Sequence, residues 1–381
     1  MKTKITAASG TTGRLGSLVA MVASLMALSV AALTPTADAD ETIASDAGAP
    51  AIGYWTDSNV TVADDTGVEI GRFPDFRIFS LNGSVIAGER EGKNPLVDRR
   101  VVAFDISSGE RLFRISDAMA PVVTAGGNKI AFQPTARRED IPDSVWLRNA
   151  AGRFRRIIHF SGGPGFPGVR HGMKAAWVVD YALDERGRTM AVVFGNENMR
   201  VFDVWLVDVR TRAVTRMTRR NHSHSPSLSP DGSKLAVRVE SAEMCSDPSY
   251  GEYFMGKIRV FSTATREPET LTPFSCDVVY DAPRWLDNES LIATRAVRDE
   301  TETYGFDLDI VRIDVTTGEI TELVNDGNPF GARVSARLGK VAYEFLDRPG
   351  FGVYDLATGT VLDFPEGNYV PHLAGDNRFC C

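Results

Sequence analysis

The chain has 381 residues, 43% of them apolar and 24% charged, with a formal net charge of −8. That length and apolar content are enough to bury a core, and the acidic balance argues against nucleic acid or an anionic membrane surface as a partner.

Residues 1–39 read as a signal peptide. Lys2, Lys4 and Arg14 form a basic start, the 19 residues from Leu15 to Leu33 are uncharged and apolar, Pro35 breaks the run, and Ala37-Asp38-Ala39 is an A-x-A processing site. An uncleaved anchor is the alternative, because that run just reaches across a bilayer. Cleavage removes the three basic residues and Asp38, leaving 39 basic and 49 acidic residues and a formal charge of −10. The mature protein is then expected to be secreted, extracellular or periplasmic, with no membrane contact. Residues 40–58 read as a linker, and residues 59–381 as one all-β domain.

From there on, two kinds of tight turn recur seven times. One series includes Leu81-Asn82-Gly83, Glu185-Arg186-Gly187, Pro230-Asp231-Gly232 and Gly375-Asp376-Asn377. The other has an Asp-x-x-x-Gly form and includes Ser107-Ser108-Gly109, Thr316-Thr317-Gly318 and Ala357-Thr358-Gly359. Short Gly/Asn/Asp turns between apolar runs are hairpin signals. A repeat of roughly 40–60 residues with two such turns marks a four-stranded blade of a β-propeller. The flanking runs, such as Val101–Ile106, Val204–Val209 and Ile310–Val315, read as half-buried third strands, and Leu112–Ile115 and Ile320–Leu323 as fourth strands. The chain finishes on what reads as an innermost strand from Tyr369, a turn, and a short second strand ending at Cys381. It begins with what reads as a third and a fourth strand, Val60–Ala63 and Val68–Ile70. Together these complete a seventh blade by pairing N- and C-terminal segments; six blades with irregular ends is the alternative.

Asp203-Val204-Trp205-Leu206-Val207-Asp208 followed by Ser225-Pro226-Ser227-Leu228-Ser229-Pro230-Asp231-Gly232 and Ser233-Lys234-Leu235-Ala236-Val237 resembles the TolB-type (WD-like) propeller repeat. The resemblance implies a fold shared by TolB, the propellers of prolyl-oligopeptidase-like peptidases and oligogalacturonate lyases, and it does not choose among them. TolB carries a further N-terminal α/β domain that has no counterpart in the roughly 20 residues between the leader and the first strand, so a Tol–Pal role is not expected. The hydrolase domain that follows peptidase propellers is likewise not found in this sequence.

The extra length falls in connections expected on one face, here called upper, which in repeat proteins is usually the binding face. The loop from His159 to Lys174 holds Ser161-Gly162-Gly163-Pro164-Gly165, which lacks the phosphate-cradling GxxxxGK[ST] pattern and reads as a Gly/Pro connector. The loop from Gln133 to Asp143 is mixed in charge and reads as plain surface. The loops Glu240 to Gly256 and Val297 to Leu308 would stand side by side above blades 4 and 5, with eight carboxylates against the single Arg298. Glu243, Asp247, Tyr250, Tyr253, Glu300 and Tyr304 are the candidate binding residues, an acidic and aromatic patch suited to a basic peptide or protein. The patch has no EF-hand spacing for calcium. Cys245 and Cys276 are expected on the same face and predict a disulfide worth about 3 kcal/mol through loop-closure entropy. Cys380 and Cys381 admit a vicinal bridge, an intermolecular bridge or two thiols.

No GxSxG, HExxH, P-loop or CxxC signature is present. His222-Ser223-His224 resembles the His-x-His metal pair of oligogalacturonate lyases, and that resemblance would make His222, His224 and His372 the ligands of a divalent metal. Arg219, where the family has a Gln ligand, departs from the pattern. Arg284, Asp281 and Tyr181 are further channel-mouth residues, read as structural. The leading expectation is a secreted, non-enzymatic propeller without a cofactor that binds a protein or peptide. The alternatives are a metal-dependent polysaccharide lyase-like enzyme and a scaffold or assembly subunit.

Overall fold

The computed structural model describes residues 37–38 and 52–379, apart from 57–58, 75, 93–97, 136–143, 160–175, 197–201, 220–221, 248–250, 300–304, 366–367, 374–375 and 377. The chain forms seven antiparallel sheets, one per blade, in a closed ring. Blade 1 is Ile78–Asn82, Val85–Glu91, Arg99–Asp105 and Arg111–Ser116 from the channel outward. Blade 2 is Ala118–Thr124, Lys129–Pro134, Ser144–Asn149 and Phe154–His159, and blade 3 is Ala176–Leu183, Thr189–Asn196, Phe202–Asp208 and Val214–Arg216. Blade 4 is Ser223–Leu228, Lys234–Asp247, Gly251–Ser262 and Pro268–Thr270, and blade 5 is Val278–Trp285, Ser290–Arg298, Phe306–Asp314 and Ile320–Val324. Blade 6 is Pro329–Ser335, Lys340–Phe345, Phe351–Asp355 and Val361–Phe364.

The recurring aspartates explain the outer turns. In blade 1 the Asp105 carboxylate accepts the N–H groups of Ser107 and Ser108 at 3.0 and 2.9 Å, and the Gly109 N–H closes onto the Asp105 carbonyl at 2.9 Å. Asp208, Asp314 and Asp355 repeat this local Asx bond to residues two or three further on. The last turn residue lies at positive φ, which costs glycine little at Gly109, Gly318 and Gly359; Arg212 takes the same place at φ 63°.

Both faces of each blade are covered. Among the described residues, seven apolar clusters each join two consecutive blades. Val204 and Leu206 face blade 4, whereas Trp205 and Val207 face blade 2. The third strand of blade 3 is therefore buried on both sides, not half-buried as its sequence suggests, and an unbroken apolar run is the expected signature of such a strand.

The closing blade differs from the sequence reading in one strand. Its innermost strand is Asn368–Leu373, as expected, but Ile52–Thr56 supplies the second strand, ahead of Asn59–Ala63 and Glu69–Pro74. Residues 52–56 had read as linker. Burial decides the exchange: Ile52 is fully buried, the Tyr54 ring packs 5.2 Å from Phe351, and Trp55 packs 4.5 Å from Phe79. The C-terminal residues expected there instead pair across the ring, with Arg378 opposite Ala182 and Phe379 opposite Tyr181 in the innermost strand of blade 3. The backbone of Ala37–Asp38 pairs with Arg111–Ser116 at the outer edge of blade 1.

Six of the seven innermost strands shift register against their second strand; only blade 1 pairs evenly. Ala120, Ser225 and Ala282 sit at these bulges with φ of 52°, 55° and 49°, each followed by a proline. The bulge re-aims the strand, and just past it come Ser227, Arg284, Arg333 and His372, all buried.

Candidate binding site on the upper face

The second and third strands of blade 4 run for 14 and 12 residues, against five to nine in the other blades. Their pairing continues from Lys234 opposite Ser262 to Asp247 opposite Gly251, with a register shift between Glu240 and Met244. Near the hairpin's end Met244 lies opposite Phe254, and both are exposed, at 45% and 44%. Beside them Cys245 is buried and bonded to Cys276, Cα to Cα 5.6 Å, so the disulfide expected from the sequence ties the hairpin to the connection that enters blade 5.

A groove of about 360 Å³ opens between this hairpin and blade 5, lined by Arg238, Glu240, Phe254, Val279, Ala296 and Phe306. Charges that are already paired line its inner end. Glu240 Oε1 lies 3.0 Å from His224 Nε2 and 3.2 Å from an Arg238 nitrogen, and the other Arg238 nitrogen is 2.9 Å from Asp281 Oδ2. Burial pushes the Glu240 carboxyl up, but the His224 hydrogen bond and the His224 and Arg238 charges outweigh it and hold the group below its usual range. Asp281 is crowded by protein yet keeps 45% of its side-chain surface open; Arg238, His224 and the Ala282 N–H outweigh desolvation and lower it too. The other His224 nitrogen lies 3.0 Å from Ser225 Oγ, and Phe202 stands edge-on to the ring at 6.3 Å. Both ring nitrogens of His224 are thus engaged.

Of the residues named from sequence, Glu243 is exposed on the hairpin, and its N–H donates to Ser241 Oγ at 3.0 Å. Asp247 and Tyr253 are placed in the hairpin by their backbones, opposite Gly251 and Cys245. Tyr250, Glu300 and Tyr304 lie outside the described residues, as do His171, Cys380, Cys381 and most of the Gly/Pro connector. His222 is half-buried in the approach to blade 4, whereas His372 is buried in blade 7 against Trp55 and Phe79, with ring centroids at 5.9 and 4.6 Å. No group of three His, Cys, Asp or Glu side chains able to hold a metal occurs among the described residues, so the structure does not bring His222, His224 and His372 together as a ligand set. Tyr181, fully buried, donates to the Ala120 carbonyl and ties blade 3 to blade 2.

Sequence reasoning missed Arg238, Val279 and Ala296. Arg238 and Glu240 alternate with Val237 and Val239 in the second strand of blade 4, a polar stripe that could have marked a wetted face.

No family model matches the sequence, and no curated protein matches it. Among solved structures, the tricorn protease aligns with a TM-score of 0.61 at 13% identity, over 87% of this chain and 34% of that one, so this chain spans about a third of that protease. The β-propeller domain of the trilobed protease from Pyrococcus furiosus aligns with a TM-score of 0.56 at 14% identity, covering 80% and 91% of the two chains. An oligogalacturonate lyase in complex with manganese aligns with a TM-score of 0.55 at 9% identity, covering 82% and 84%. TolB structures are also among the matches. At such identities the likeness shows the fold alone, a β-propeller.

Proposed function

We propose that this propeller is a non-enzymatic module that binds a basic protein or peptide through the upper face of blades 4 and 5, outside the cytoplasm. The observation that carries this reading is the groove between Phe254 and Phe306, whose inner-end charges are satisfied within the protein and whose surroundings include the exposed Glu243, Asp277 and Asp307. An apolar slot with a polar acidic rim is the anatomy of a peptide-binding surface: the slot takes an apolar anchor, and the rim selects the charge around it. Glu243, Asp247, Tyr250, Tyr253, Glu300 and Tyr304 are the rim residues of this proposal. The Cys245–Cys276 bond supports it by fixing the hairpin before a partner arrives, and it suits an oxidising compartment.

The test is a displayed peptide library selected on the purified protein. Enrichment of peptides pairing Lys or Arg with a large apolar residue is expected. Binding of those peptides should fall at least about tenfold in a Glu243→Lys/Asp247→Lys/Glu300→Lys variant. Selection without that bias, or undiminished binding to the charge-reversed protein, overturns the assignment.

A further inference from the structure

Away from the channel, the outer crevice between blades 2 and 3 runs against the charge of the whole chain. It lies on the lower face, among the hairpin turns opposite the long loops. Residues 144–220 carry 14 Lys and Arg against 6 Asp and Glu, in a chain whose formal charge is −8. The turns of the two blades gather part of that excess. Lys129, Arg153, Arg155, Arg188 and Arg210 line a groove of about 750 Å³, with Asp208 as the one carboxylate among the described lining residues. Its floor is apolar: Leu147 and Val209 are buried, and Phe154 is half-buried, edge-on to Phe132 at 6.0 Å. The matching crevice between blades 4 and 5, about 490 Å³, is lined by Lys234 against Glu267 and Glu269. The shape is therefore what a propeller supplies, and the basic charge is what this stretch of sequence adds.

Two of the cations fix the walls. Lys129 Nζ donates to the Arg186 and Gly187 carbonyls at 2.8 and 2.9 Å, and an Arg155 nitrogen donates to the Arg210 carbonyl, so each ties blade 2 to blade 3 through a neutral acceptor. Burial pushes the Lys129 ammonium down, Asp184 draws it up and Arg188 pushes it down again. The other three, Arg153, Arg188 and Arg210, are exposed, and among the described residues no hydrogen bond or ion pair engages their side chains. Nearby carboxylates are committed elsewhere. Asp184 accepts the N–H groups of Arg188 and Thr189, and Asp208 accepts the N–H and hydroxyl of Thr211. Guanidinium groups present paired N–H donors that match carboxylates, and cations crowded into one groove attract an anion more strongly than any one of them alone. The floor narrows the class. A polyanionic sugar gains little from Leu147, Phe154 and Val209, whereas an apolar side chain flanked by carboxylates fits both floor and rim. We propose that the crevice between blades 2 and 3 is a second binding site, one that takes an acidic peptide segment of a partner protein with an apolar residue at its centre.

The experiment uses the full chain and a labelled peptide with two Glu on each side of Leu-Phe, read by fluorescence anisotropy. Saturable binding that weakens as salt is raised is expected. The Arg153→Gln/Arg188→Gln/Arg210→Gln variant should keep the parent's circular dichroism and bind at least about tenfold more weakly. Arg111→Gln/Arg266→Gln/Arg312→Gln, which removes the same charge from other blades, should bind like the parent. A peptide with Ser-Ser in place of Leu-Phe should bind several-fold more weakly. If the triple variant does not fold, Arg210→Gln alone, at an exposed turn, should still weaken binding measurably. Equal losses in the two triple variants would reduce the effect to overall charge and overturn the site. Equal binding of the Ser-Ser peptide, or stronger binding of dextran sulfate, would overturn the peptide assignment. Self-association of the parent that the groove variant abolishes would make the occupant a second copy and overturn it as well.

Discussion

The two ends of the channel solve the same electrostatic problem in opposite ways. At the upper end of blades 4 and 5, Arg238 is shared between Glu240 and Asp281, all three supplied by the second strand of blade 4 and the first of blade 5; Arg238 and Glu240 are mostly covered, and Asp281 is half-open to solvent. At the lower end, Arg333 is fully buried and meets a carboxylate from the far end of the chain. A charge balanced by local neighbours leaves the surface above it free to change. A charge balanced by a distant segment makes that segment part of the ring's stability. The upper end is built to vary and the lower end to hold.

The comparison breaks most visibly at Arg333. Weakening the charge balance around a buried guanidinium costs more than losing a partly open carboxylate, so Asp376→Ala, beside Arg333, is expected to cost about 3 kcal/mol in chemical denaturation, whereas Asp281→Ala, whose side chain is 45% open, should cost about 1 kcal/mol. Equal losses at the two ends would remove the distinction. Next in size is the disulfide: the Cys245→Ser/Cys276→Ser variant is expected to lose about 3 kcal/mol at most, less if the hairpin opens without the ring. Proteolysis should then cut first within residues 241–256. A first cut elsewhere would show that the bond stabilises the ring as a whole.

pH separates the ends without a large perturbation. Burial, and then the Arg333 and Arg284 charges, keep His372 well below its usual 6.5, so the folded state leaves it neutral while the unfolded chain takes up a proton below that value. Its contribution is therefore present above about pH 6.5 and is lost as pH falls below it. Glu240 and Asp281 are depressed carboxyls with usual values of 4.5 and 3.8, so their contribution persists to lower pH and is lost as pH falls through their folded values. Other buried carboxyls such as Glu89 and Asp309 are raised and act in the opposite sense, so the comparison is made as a difference. The stability gap between the parent and His372→Gln should change between pH 7 and 5, and the gap to Glu240→Gln should change only below about pH 4.5. The same window for both would contradict the assignment of causes.

What the sequence made legible follows from the range of the interactions. The Asp-x-x-x-Gly turns were readable because each is closed by bonds within five residues, as Asp105 to Gly109 shows. Cys245 and Cys276 were readable because turn counting alone puts both on one face. Ile52–Thr56 was hidden because its value lies in packing on other blades, Trp55 on Phe79, 24 residues on, and Tyr54 on Phe351, 297 residues on, although Asp57-Ser58-Asn59 is a turn signal that separates it from the next strand. The groove was half legible. Composition singled out its acidic and aromatic loops, but Arg238 joins Glu240 to Asp281, 41 residues further on, through a pairing that only the ring creates. The C-terminal crossing has no local pattern at all: two paired residues and one buried aspartate carry it.

The smallest effect on stability should come with a large effect on binding, and it falls at Phe254. Its side chain is 44% exposed and, with Met244 opposite, adds apolar surface to the hairpin without closing any of the seven interblade clusters. Truncating it removes little buried area, so Phe254→Ala should shift stability by no more than about 0.5 kcal/mol. If the groove takes an apolar anchor, the same change deletes one of its two aromatic walls and should weaken selected peptides about tenfold or more. Phe345→Ala serves as the contrast: that ring is 6% exposed within the cluster joining blades 5 and 6, so it should cost about 3 kcal/mol and leave peptide affinity unchanged in the folded fraction. A large stability loss at Phe254, or unaltered peptide binding, would make the exposed ring part of the core and return the upper face to an ordinary rim. The opposite pattern, affinity lost while the fold stays intact, is what a surface kept apart from the ring's stability requires.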